Sequence, residues 1–131
     1  MKKLYIIAFA LFLVSFVNTS AVAQTTEKGV TIIELVQIEG QFETQELNLK
    51  PGKYQFRVVN KNVEKEVGFV IQKAEDQKND VMKTALPNSF TASLIKKGDA
   101  QYTGIVDLTK AGEYVYSCPL NPTPHYKIVI D

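Results

Sequence analysis

Two side chains that can bind a soft metal lie near the carboxyl end of this chain. Cys118 and His125 are its only cysteine and its only histidine. A thiolate and an imidazole are ligands that soft transition-metal sites use. The segment between them contains three prolines, which fix φ, stiffen the loop and bring His125 back towards Cys118. The pattern therefore predicts two candidate ligands for a transition metal.

Short apolar or alternating segments on both sides of this loop predict β-strands, separated by turn residues. A charged, irregular insertion at residues 74–88 interrupts them, with a helical turn or two expected over 80–85. No strong amphipathic helix is present, so we expect an all-β fold, an antiparallel Greek-key sandwich of about seven or eight strands. The predicted strands cover residues 30–38, 45–49, 53–60, 67–72, 91–96, 100–108, 113–117 and 127–130.

The amino terminus has the features of a secretory signal peptide. Lys2 and Lys3 precede an apolar run over residues 4–17, and Ala21-Val22-Ala23 supplies the small residues that signal peptidase recognises. The apolar run is too short for a transmembrane anchor. We therefore expect a signal peptide over residues 1–23, a single domain over 24–131, a periplasmic or secreted location, and no membrane insertion after cleavage.

The net charge gives no reason to expect a nucleic-acid or membrane-surface partner. The formal net charge of +1 falls to −1 when Lys2 and Lys3 are removed, so nothing favours binding to nucleic acid or to a membrane surface.

Cys118 has no internal disulfide partner. A free thiol in an oxidising compartment is expected to be buried, metal-bound or reactive. Because Tyr114, Tyr116 and Cys118 share one face of a strand, the pattern places Cys118 at the rim of the core.

Several segments carry a resemblance to the cupredoxin family. Residues 49–56 (LKPGKYQF), 66–70 (EVGFV) and 110–119 (KAGEYVYSCP) follow one another in the order and spacing of that family, and the similarity runs from about Val30 to Asp131. The last segment resembles the Gly-x-Tyr-x-Tyr-x-Cys-Pro run that leads into the copper loop of such proteins. The resemblance implies a cupredoxin-like β-sandwich.

The resemblance also implies a ligand set for type 1 copper: an early histidine, then a cysteine, a second histidine and usually a methionine. Cys118 matches the cysteine. The early histidine would fall at 63–67, with Lys65 as the expected position, and the second at 121–123, where the chain has Asn-Pro-Thr. His125 lies near the place of the methionine, and Met82 is a poor substitute for it. The copper site thus looks degenerate.

Two interpretations follow from these residues, and a third is weaker. In the first, Cys118 is a buried structural thiol and the domain is a non-enzymatic binding or structural module for an unidentified protein partner, with no assured cofactor. In the alternative, copper is held by Cys118, His125 and a carboxylate, Glu66 or Glu64, for one-electron transfer or copper handling. A Cys118–His125 nucleophile–base pair is the weakest, because nothing in the sequence indicates an oxyanion hole.

Overall fold

The computed structural model describes residues 22–26 and 28–131. Within these residues the chain forms nine strands, a 3-10 helix at Ala74–Asp76 and a short α-helix, α1, at Val81–Thr84. The strands are β1 (Val22–Thr25), β2 (Val30–Ile38), β3 (Gln41–Phe42), β4 (Glu46–Leu49), β5 (Gly52–Asn60), β6 (Val70–Lys73), β7 (Ala100–Leu108), β8 (Gly112–Ser117) and β9 (Tyr126–Ile130).

The strands form two sheets. The first has the order β1-β2-β5-β7, with β3 also paired to β2, and the second has the order β4-β9-β8-β6. The predicted sandwich is confirmed, but the expectation of purely antiparallel pairing is wrong: β2 pairs with β5, and β4 with β9, in parallel. The reason is a crossover. After β3 the chain moves to the second sheet as β4, then returns to the first as β5 beside β2.

Strand positions follow the sequence pattern closely where a strand has one buried face. β2 and β7 begin and end where they are predicted, and β5 begins one residue early. The predicted strand at 91–96 is wrong, because this part of the chain connects the edges of the two sheets. The Ala92 amide bonds to the Tyr102 carbonyl of β7, and Ile95 exchanges two backbone bonds with Val67 in the segment that precedes β6. A segment that spans from one sheet to the other cannot run along either.

Aromatic side chains fill the core between the sheets. Phe42 makes edge-to-face contacts with Phe69, Tyr116 and Tyr126, at ring-centroid distances of 6.0, 5.1 and 5.8 Å. These rings come from both sheets and from the segment before β6, and all are buried. Edge-to-face packing of this kind stabilises beyond the area that the rings bury. The cluster fixes the positions of β8 and β9, and with them the two ends of the Cys118–His125 loop.

The short helical insertion predicted at 74–88 is confirmed. The side chain of Asp80 caps α1 by accepting a hydrogen bond from the Met82 amide at 2.9 Å. Gln72, fully buried on β6, donates from Nε2 to the Asp76 carbonyl at 3.0 Å and to Thr84 Oγ1 at 2.8 Å. The insertion is therefore tied to the edge of the second sheet.

The amino-terminal strand crosses the predicted processing point. Residues 1–21, most of the predicted signal peptide, lie outside the described residues. The predicted cleavage bond, Ala23–Gln24, lies in the middle of β1. Among the described residues, no helix has the length and apolar character needed to cross a bilayer.

Candidate functional site at the cysteine loop

The loop between β8 and β9 contains both candidate ligands, but their side chains lie in different surroundings. Cys118 follows β8 directly and is 1% exposed, and its thiol is free of any disulfide. His125 immediately precedes β9 and is exposed, as is Glu66 before β6. The structure thus places the thiol in the core and the other two candidate ligands in solvent.

The sulfur of Cys118 accepts two backbone hydrogen bonds. The Gly68 amide donates to Sγ at 3.3 Å and the Asn121 amide donates at 3.1 Å. The Cys118 amide donates in turn to Thr123 Oγ1 at 3.0 Å, which holds the loop in a tight turn. The sulfur is therefore enclosed by backbone donors from two different segments.

A buried pair of side-chain amides joins those two segments. Asn121 Nδ2 donates to Gln37 Oε1 at 2.9 Å, and Gln37 Nε2 donates to the Gly68 carbonyl at 3.2 Å. Gln37 is 0% and Asn121 1% exposed. With the two bonds to Cys118 Sγ, these contacts form a closed cycle through Cys118, Asn121, Gln37 and Gly68, which we call the rim cycle.

Asn121 also ties the loop to the β2–β3 turn. Its second Nδ2 hydrogen goes to the Ile38 carbonyl at 3.0 Å, and its Oδ1 accepts from the Gly40 amide at 2.9 Å. Gly40 has φ of +72°, a conformation that favours glycine and lets the turn present its amide to Asn121. A buried side-chain amide without hydrogen-bond partners lowers the stability of the fold. Because Asn121 makes these bonds to β2 and to the β2–β3 turn, it holds the loop against the first sheet.

The segment expected to supply the early histidine is held by Asn60. Asn60 Nδ2 donates to the carbonyls of Val63 and Lys65, at 3.1 and 3.2 Å, and its Oδ1 accepts from the Val63 amide. This directs Lys65 and Glu66 to the surface and leaves Val67, a hydrocarbon side chain, as the buried neighbour of Gly68. The position next to the thiol's amide donor is therefore apolar.

The donor set does not suit copper as the side chains are arranged. Within 22–26 and 28–131, no three or more His, Cys, Asp or Glu side chains are grouped so that they could hold a metal ion. Copper sites of high affinity need several strong N or S donors around the ion. The assignment of Cys118, His125 and Glu66 as ligands stays a prediction, and an experiment below tests it.

Sequence reasoning missed Gln37 and Gly68, and it treated Asn121 only as a substitute for histidine. A buried glutamine on a strand looks like any outward-facing polar residue, because its partner lies 84 positions away in the chain. The one local signal was Asn121 itself, a residue able to bond backbone groups, placed between prolines at the tip of the loop.

Comparisons with known proteins show that the chain resembles solved structures in its fold, whereas no match is found by sequence. No protein-family model and no curated protein matches the chain. Among solved structures, it is similar to auracyanin A, titled a "blue" copper protein, from the green thermophilic photosynthetic bacterium Chloroflexus aurantiacus. The TM-score is 0.62 at 17% identity, over 79% of this chain and 100% of that one.

Two further solved structures show the same likeness. Auracyanin B gives a TM-score of 0.61 at 15% identity, covering 85% of this chain and 94% of its own. An azurin from Methylomonas sp. strain J gives 0.61 at 12% identity, covering 76% and 97%. The fold is that of the cupredoxins. The sequence-based expectation of a cupredoxin-like sandwich is confirmed, and at these identities the likeness concerns the fold alone.

An apolar cleft adjoins the rim cycle of this cupredoxin-like domain. It has a volume of about 230 Å³, and Gly68 forms part of its wall. Four large apolar side chains that line it are exposed, which is unusual for neighbouring residues on a protein surface. These are Met82 at 75%, Phe90 at 41%, Leu94 at 48% and Leu120 at 44%.

Proposed function

We propose that this protein is an exported, non-enzymatic cupredoxin-like domain that acts as a binding or structural module for a protein partner, in the periplasm or outside the cell. In this proposal Cys118 is a structural thiol and the copper site is degenerate. The apolar cleft beside the rim cycle supports a binding role, since exposed apolar patches are typical of surfaces that contact other proteins.

The rim cycle carries this proposal. Cys118 Sγ is enclosed in the core, where the amides of Gly68 and Asn121 donate to it, while the other two candidate ligands, His125 and Glu66, lie exposed. Asn121 lies at one of the places expected for the second histidine. Its side chain is hydrogen-bonded to Gln37, Ile38 and Gly40. The bonds of the cycle hold the loop together without an ion.

The same contacts argue against an enzyme that uses Cys118 as a nucleophile. Such a site needs the thiol within hydrogen-bond reach of a base, with room for a substrate beside it. Among the described residues, the hydrogen-bond partners of Sγ are backbone amides, and His125 lies exposed at the other end of the loop. A thiol as buried as that of Cys118 is expected to react slowly.

A copper titration tests the proposal. The full precursor is expressed with export, the recovered protein is kept reduced, and one equivalent of Cu(II) is added while the visible spectrum and the melting temperature are recorded. We expect no thiolate-to-copper charge-transfer band and an unchanged melting temperature. A ligand that binds only the native state must raise the stability of that state. The absence of both a charge-transfer band and a rise in melting temperature would therefore mean that the protein has no copper site.

Two variants make the outcome specific. A charge-transfer band that disappears in Cys118→Ser and in His125→Gln would overturn the proposal in favour of a copper protein, and Glu66→Gln would then test the third ligand. A rise in melting temperature that depends on His125 but not on Cys118 would indicate copper bound at the surface only. That result would leave the thiol structural, as proposed.

A further inference from the structure

The outer edge of β2 is closed by two short strands. Its inner edge pairs with β5 over eight residues, whereas its outer edge pairs with β1 at positions 31–34 and with β3 at 37–38. The Glu43 amide also bonds to the Val36 carbonyl at 2.9 Å. The strand is rich in β-branched residues, and its outer edge is fully used only because β1 is in place.

The predicted processing bond divides β1. In the register of this strand, Val22 lies opposite Glu34 and Ala23 opposite Ile33, while Gln24 and Thr25 lie opposite Ile32 and Thr31. Cleavage between Ala23 and Gln24 removes the first two of these pairs. The second two stay, held by the turn in which the Thr26 amide bonds to the Val30 carbonyl at 2.7 Å.

Cleavage therefore leaves a short gap beside residues 33–35, in which the amide and carbonyl of Glu34 face outward without a strand partner, because alternate residues of β2 bond to β5 and the Val36 carbonyl already accepts from Glu43. Unpaired backbone groups on a strand edge are a template for pairing with another extended chain. The gap also has a charge at one end, because hydrolysis creates an α-ammonium group on Gln24. The side chain of Glu34 adds little opposing charge, since it forms an ion pair with Arg57.

We propose that processing turns this edge of β2 into a binding site for the carboxyl-terminal end of an extended polypeptide. The bound segment runs antiparallel to β2, as β1 does, and its last residue lies opposite Ile33. Its terminal carboxylate then faces the ammonium group of Gln24. The site lies on the strand that also carries Gln37 of the rim cycle; it rests on the export and processing included in the proposed function, but not on whether Cys118 binds copper.

A second copy of the chain joined through its own β2 fits this gap less well. The gap in each copy is bounded by the remaining β1 residues and by β3, so two β2 edges would bring these flanking segments into collision. A free chain end has no such flanks. The complementary charge also selects an end that carries a carboxylate over an internal loop.

The test uses the exported, processed protein and a short peptide that matches the removed residues. Mass spectrometry first identifies the amino-terminal residue, which we expect to be Gln24. Acetyl-Ala-Val-Ala with a free carboxylate is then titrated into isotope-labelled protein, and backbone amide shifts are followed. We expect saturable shifts at Ile33, Glu34 and Leu35, and affinity roughly threefold to fivefold weaker for the carboxamide form of the peptide, as for an exposed ion pair.

A matched control removes the ammonium charge alone. Glutaminyl cyclase converts an amino-terminal Gln to neutral pyroglutamate, as the α-amine attacks the side-chain carboxamide and ammonia leaves. The treated protein should bind both peptides equally weakly. A different amino-terminal residue, an absence of shifts in β2, or equal affinity for acid and amide before treatment would each overturn the proposal. None of these results bears on copper binding at Cys118.

Discussion

Gln37 and Gln72 are both fully buried, and each ties a loop to a strand, but they do so in different ways. Gln37 uses both ends of its amide: Nε2 donates to Gly68 and Oε1 accepts from Asn121. Gln72 donates to Asp76, Asn79 and Thr84, whereas its Oε1 has no hydrogen-bond partner among the described residues.

The difference shows how the two ends of the second sheet are stabilised. In the rim cycle each member is hydrogen-bonded to the next, so removing one side chain leaves several buried polar groups without partners. The insertion at 74–88 is held to β6 by the Gln72 side-chain amide group and by a backbone bond from the Leu86 amide to the Ile71 carbonyl, and its own helices are only three and four residues long. We therefore expect the rim to open only at a large free-energy cost and the insertion to open locally at a smaller one.

Asn121→Ala should have the largest effect. It removes three side-chain hydrogen bonds and leaves Gln37 Oε1, the Ile38 carbonyl and the Gly40 amide without this partner. We expect the free energy of unfolding in urea to fall by about 3 kcal/mol. The control is Asn62→Ala, at an exposed position, which should change it little. Equal effects from the two variants would show that the rim cycle does not stabilise the fold.

Gln72→Met should have a smaller and more local effect. The change keeps the length of the side chain and removes an acceptor that has no partner, so the lost donations are partly offset. We expect a loss of about 1–2 kcal/mol, with faster amide hydrogen exchange confined to residues 74–86. Gln101→Met, at a partly exposed position on β7, serves as the control. Faster exchange that spread to the Cys118 loop would contradict the separation of the two regions.

Tyr116→Phe removes one bond between β8 and the segment that connects β3 to β4, since the hydroxyl of this buried ring donates to the Thr44 carbonyl. We expect a loss of about 1 kcal/mol at neutral pH. Burial, with a smaller contribution from Tyr126, raises the pKa of Tyr116 above its ordinary value of 10.0. The native state therefore keeps a proton that the unfolded chain loses above about pH 10, so stability falls as the pH rises beyond that point.

Urea unfolding of both proteins across this pH range checks the sign. The decline should be shallower in Tyr116→Phe, although not absent, because burial also raises the pKa of Tyr54 and of Tyr114. An identical decline in the two proteins would show that Tyr116 does not cause the alkaline loss.

His125→Ala should have the smallest effect. Its side chain is exposed and forms no hydrogen bond or ion pair with the described residues. We expect the free energy of unfolding to change by less than about 0.5 kcal/mol. A larger loss would mean that the His125 side chain helps to stabilise the rim cycle, whereas the structure shows no contact between them among the described residues.

The sequence predicted the sandwich well because alternating burial along a strand is a local pattern. β5 alternates regularly over residues 54–60, and β2 does so from Ile33 onward. The parallel pairs could not be predicted in the same way, since the crossover through β4 is a property of the whole chain. Segment 91–96 (TASLIK) was misassigned because its β-branched Thr91 and Ile95 favour a strand, whereas the segment connects the two sheets.

The chemistry of the loop was only partly readable from the sequence. The position of Cys118 at the rim of the core followed from its parity with Tyr114 and Tyr116, and the structure confirms that it is buried. The partners of its sulfur are backbone amides, which no residue type reveals. The role of Asn121 depends on Gln37 and Gly40, which are distant in sequence and are brought near it only by the fold.

The rate at which a thiol reagent labels Cys118 in the native protein tests the central claim most directly. If the rim cycle encloses the sulfur, labelling of the unaltered protein is slow and accelerates only as urea promotes opening. Asn121→Ala should then label about 100-fold faster, which corresponds to a cycle weakened by about 3 kcal/mol. Labelling of the unaltered protein at the rate of a free thiol, with no acceleration in Asn121→Ala, would contradict the account.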